Sequence, residues 1–92
     1  MKENFESLII KIKEKQDIKF ETIYGEVFSY EVVNDNLIVF SNSVINQQIS
    51  LVQLKQAYSQ WPVESPNNFN RNIVGAVYLY TLYKELLPIS LI

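Results

Sequence analysis

Apolar residues recur at helical spacing in three stretches of this chain, and between the first two the spacing falls to two. Phe5, Leu8, Ile9 and Ile12 stand at i, i+3, i+4 and i+7 and predict an amphipathic helix over about residues 3–16. Glu3 and Glu6 fall in its first turn and Lys11, Lys13 and Lys15 toward its end, the order that suits the helix dipole. Ile10 lies off the apolar stripe. The last stretch, residues 72–87, is the most apolar. At helical pitch Gly75, Ala76, Leu79, Tyr80, Leu82, Tyr83, Leu86 and Leu87 fall on one side, with Thr81, Lys84 and Glu85 opposite and Tyr78 at the border. An arc covering about half the circumference requires burial, so other elements must cover this helix. Asn70 or Asn72 is placed to cap its start and Pro88 to end it.

From Ile18 the period is two. Residues 18–23 and 27–33 alternate, and Leu37-Ile38-Val39-Phe40 forms a third, wholly apolar run. Tyr24-Gly25-Glu26 and Asn34-Asp35-Asn36 separate the three as turns. With three residues in each loop, Ile23 faces Val27, Phe20 faces Tyr30, Val33 faces Leu37 and Tyr30 faces Phe40. One face then collects Ile18, Phe20, Thr22, Phe28, Tyr30, Val32, Ile38 and Phe40, and the final helix is expected to lie across it. A one-residue slip would exchange the faces of a strand. Val44-Ile45 predicts a short fourth strand at the edge.

Ser50, followed by Gln53 three residues on and flanked by Ile49 and Leu54, is a helix start with a capping hydroxyl and a hydrophobic staple. It predicts a helix over about residues 51–60, with Leu51, Leu54, Ala57 and Tyr58 inward. Trp61-Pro62 ends that helix, and a polar loop runs from Val63 to Arg71. The apolar tail Ile89-Ser90-Leu91-Ile92 either docks on the body or marks a cut from a longer chain. The expected fold is α+β, a three- to four-stranded antiparallel meander with helices packed on one face, in the order α-β-β-β-(β)-α-α. Residues 1–92 are expected to form one domain.

Composition narrows the chemistry. The 92 residues contain no Cys and no His, which removes disulfides, thiolate and imidazole metal sites, and the catalysis that depends on either side chain. Nucleophilic catalysis would then need a Ser–Lys pair, and Ser50 is already explained as a cap. Glu21 and Glu31 are expected to face solvent across the sheet, and Asp17 and Asp35 sit in turns, so paired-carboxylate chemistry lacks a setting. Gly25 and Gly75 are isolated and make no phosphate loop. The reading is therefore a non-enzyme with no cofactor and no metal. No signal peptide and no membrane span is visible, and a cytoplasmic, prokaryotic or phage setting is the expectation.

Two binding classes remain. Aromatic residues make up 13% of the chain, a load that can stabilise a small core and that also points to rings facing a partner. Ile23, Val27, Val33, Leu37 and Val39 are expected on the reverse face of the sheet, and with Tyr78 they form the candidate protein-contact surface, for another protein or a copy of this chain. The alternative is nucleic-acid binding, through Lys11, Lys15, Lys19 and Arg71, with Tyr24 and Trp61 to stack on bases. The net charge of −2 counts against it. No membrane partner is expected.

Overall fold

The computed structural model describes residues 5–42 and 44–87. The elements follow in the order α1 (Phe5–Glu14), β1 (Phe20–Glu21), β2 (Val27–Val33), β3 (Asn36–Ser41), β4 (Val44–Ser50), α2 (Leu51–Gln60) and α3 (Ala76–Leu86). A short 3-10 turn, Pro66–Asn68, precedes α3. The four strands form one antiparallel sheet in sequential order, as the α+β meander requires. Glu3, Asn4 and the tail from Pro88 lie outside the described residues.

α1 turns Leu8 and Ile12 into the core and ends before Asp17, which takes a left-handed φ of 71°. It is fastened to the sheet by two long-range bonds. Tyr30 Oη donates to Ile12 O at 2.6 Å, and the Gln16 amide oxygen accepts from Val32 N at 2.8 Å. The second bond matters because β1 is only two residues long. Past Phe28 the outer edge of β2 has no strand beside it among the described residues, and Gln16 takes the place of one.

Two register expectations are corrected. Glu21 pairs with Val27 and Phe20 with Phe28, so residues 22–26 form a five-residue connection and Ile23 lies in it, exposed, rather than opposite Val27. The shift is even, so Phe20, Phe28 and Tyr30 keep one face and stack at 5.8 and 5.9 Å. Ile18, expected on that face, is exposed.

The second correction flips a strand. Val33 pairs with Asn36 and Tyr30 with Val39, so the β2–β3 loop holds two residues, not three. Asn34 and Asp35 both have positive φ, 50° and 64°, as a type I′ turn demands, and its twist matches that of the strands. Leu37 and Val39 therefore point into the core, each 0% exposed, and Ile38 and Phe40 turn to the reverse face, half-buried. Alternation could not decide this, because β3 is apolar on both sides.

β4 is longer than the two residues expected. Phe40 pairs with Ile45 and Val39 with Gln47, which leaves Asn46 as an extra residue, a β-bulge. At its end Ser50 accepts from Gln53 N through its hydroxyl at 3.2 Å, the predicted cap of α2. Leu54 and Ala57 are buried and Tyr58 half-buried, but Leu51 turns outward.

α3 starts four residues later than predicted. Asn70 O accepts from Ile73 N, Gln53 Oε1 accepts from Val74 N, and Gly75 then takes φ 68°, which a helix cannot contain. From Ala76 on, the helix is buried on nearly every side. Thr81, expected outside, is buried, with its hydroxyl donating to Val77 O at 3.0 Å. Tyr83 Oη donates to Leu54 O at 2.5 Å, and Trp61 sits edge-on to Tyr80 and Tyr83. α3 is thus the axis on which the core face of the sheet, α1 and α2 converge.

Candidate interaction groove

The expected protein-contact surface does not survive the β3 register intact. Leu37 and Val39 belong to the core, and Tyr78 is only 6% exposed, its ring edge-on to Phe28 at 4.9 Å. The Tyr78 hydroxyl donates to Glu26 Oε2 at 2.9 Å, and the bulge residue Asn46 donates to both. Burial, with the Glu26 carboxylate beside it, raises the Tyr78 pKa above the usual phenol value. Ile23, Val27 and Val33 remain exposed, and Ile45 adds to the reverse face opposite Phe40. That face is mixed in character. A depression of about 400 Å3 at its β1 side is lined by Asp17, Lys19, Ser29, Glu31, Phe40 and Asn42.

The larger concavity lies elsewhere. Between α1 and α2 a groove of about 770 Å3 runs over Val32, Leu37 and Leu54. Phe5, Ile9 and Ile10 of α1 line one side, Leu51 and Val52 of α2 the other. The walls are held by specific contacts. Phe5 packs on the Tyr58 ring at 5.5 Å, which joins the start of α1 to the last turn of α2. Leu51 N donates to Asp35 O at 3.0 Å, which joins the start of α2 to the β2–β3 turn. Gln16 holds the far end of α1 to β2. Two apolar side chains stand on its walls with most of their surface in water, Ile10 at 58% and Val52 at 64%. Exposed aliphatic groups bordering a concave apolar floor are the usual composition of a contact site.

The sequence singled out Ile10 as off its stripe but did not connect it to α2. Val52 was missed. Its signal is an aliphatic residue on the polar side of a capped helix, next to a Leu51 that the sequence pattern places inward.

The basic and aromatic residues considered for nucleic acid are scattered. Lys11 Nζ donates to Leu86 O at 3.1 Å and so serves the end of α3. Trp61 is half-buried, stacked on Phe69 at 6.3 Å. Lys15, Lys19 and Arg71 are exposed, as is Tyr24, at 68%. Lys15 and Lys19 are interspersed with Glu14 and Asp17. Among the described residues no helix is long and apolar enough to cross a membrane, and no group of three or more Asp or Glu is placed to hold a metal ion.

Comparison of the chain with protein-family models, curated proteins and solved structures finds no match in any of the three.

Proposed function

We propose that this chain is a non-catalytic protein-interaction module, an accessory or adaptor domain or a small protein inhibitor, whose contact surface is the α1–α2 groove. The observation that carries this reading is the groove itself: an apolar concavity of about 770 Å3 bordered by the exposed Ile10 and Val52. Apolar surface of this kind gains free energy when a partner removes it from water. The partner is another protein or a copy of this chain. A cytoplasmic setting belongs to the same proposal; with no Cys the fold does not need an oxidising compartment.

The test is affinity capture with the immobilised chain. The wild type should retain a stoichiometric protein partner, little affected by salt, and Ile10→Asp or Val52→Asp should lose it. Retention indifferent to both changes would overturn the reading. So would retention on DNA or RNA that falls steeply with salt and with Lys15→Glu and Lys19→Glu.

A further inference from the structure

The start of β4 is set against its own hydrophobicity. Val44 and Ile45 are 64% and 63% exposed, more than any other large apolar residue of the four strands. The bulge at Asn46 puts them there. Without it Gln47 would still pair with Val39, but Asn46 would stand opposite Phe40 and Ile45 opposite Ser41. Strand faces alternate, so Ile45 would then share the core face with Val39, and Asn46 would turn to the reverse face with Phe40. The connection from β3 would lengthen from two residues to three, and both lengths are common in hairpins. A second register therefore lies one residue away. It suits the backbone and removes Ile45 from water.

What that register forfeits is polar. As the strand stands, Asn46 Nδ2 donates to Glu26 Oε2 at 3.0 Å and to the Tyr78 hydroxyl, which itself donates to Glu26 Oε2 at 2.9 Å. Two of the three partners are fixed independently of β4. Glu26 N donates to Thr22 Oγ1 at 3.2 Å, and Glu26 O accepts from Thr22 N at 2.8 Å. The Tyr78 ring is packed edge-on against Phe28. Asn46 is the member that a slip of the strand would take away. Hydrogen bonds to a carboxylate are stronger than those between neutral groups, so the loss weighs against the gain at Ile45. We infer that Glu26, Tyr78 and Asn46 form a register lock. It holds the first half of β4 in the bulged register, and its release lets the strand slip by one residue and carries Ile45 to the core face.

The test is the set of cross-strand backbone contacts that nuclear Overhauser effects give for the full chain. The wild type should show Phe40 against Ile45 and Ser41 against Val44. Asn46→Asp sets beside Glu26 a carboxylate that cannot donate to it, so Phe40 should meet position 46 instead, and Ser41 should meet Ile45. Adding Glu26→Gln restores a donor and an acceptor across the contact, and the wild-type set should return. Tyr78→Phe keeps the ring on Phe28 but loses both bonds of its hydroxyl, and should show the two sets side by side. Asn46→Asp with the Phe40–Ile45 contact intact overturns the proposal. So does a slip that persists after Glu26→Gln, or Tyr78→Phe with the wild-type set alone. Loss of the dispersed spectrum in Asn46→Asp overturns it as well, because the three residues would then hold the whole fold rather than one register.

Discussion

A Cβ on Gly75 would lie 2.6 Å from Ile49 Cδ1, and 3.2 Å from Gln47 Cγ. The last turn before α3 thus rests on the Ile49 and Gln47 side chains of β4, which a methyl group would have to displace. Gly75 also takes φ 68°, in the left-handed region. Both constraints act on one residue. Gly75→Ala should cost about 2–4 kcal/mol, from backbone strain together with overpacking. Urea unfolding of the two proteins, compared at their midpoints, measures it.

Two buried phenols make stability depend on alkaline pH. Burial raises the pKa of Tyr30 and of Tyr83 well above the usual 10.0. Below that value both are protonated, folded or unfolded, and their contribution is complete. Above it the unfolded chain releases protons that the folded chain retains, so stability falls as pH rises, by about 1 kcal/mol per pH unit for each group. Tyr83→Phe should reduce that slope. At neutral pH it should cost about 1 kcal/mol, because the lost bond to Leu54 O is partly replaced by the helix's own ladder. Denaturant midpoints between neutral pH and pH about 11 test both halves of the expectation.

The β2–β3 turn is built from residues that bear its geometry at a cost. Asn34 tolerates positive φ, and Asp35 does so less well than glycine would. Asp35→Gly should therefore raise stability by about 0.5–1 kcal/mol, read as a higher melting temperature.

The cap of α2 is a single hydroxyl. Ser50→Ala should cost about 1 kcal/mol, and Ser50→Asp should restore most of it, since a carboxylate also accepts from Gln53 N. Thermal unfolding of the three proteins checks the order.

Most of the architecture was legible because helical and strand periods alternate cleanly along the chain. The Ser50 cap, the Trp61-Pro62 stop and the shared face of Phe20, Phe28 and Tyr30 all followed from local pattern. What pattern could not supply was the register of β3. Its four central residues are all apolar, so burial gives either face equal credit, and the choice falls to the twist of a two-residue turn. The start of α3 was obscured for a related reason. Residues 72–75 fit a helical period, yet Gln53 and the left-handed Gly75 hold them out of one. The groove was harder still. Each wall is an ordinary amphipathic helix alone, and only the tertiary placement of α1 beside α2 sets Ile10 and Val52 around one hollow.

The extra residue at Asn46 has a consequence for how the chain behaves when crowded. β4 is the outermost ribbon of the sheet, and its seven residues include neither charge nor proline, the common guards against unwanted strand addition. The bulge supplies that guard. It breaks the even beat of outward-pointing amides midway along the ribbon, so a stray extended peptide meets only a short uninterrupted template. The bulge thereby works against zippering along this border.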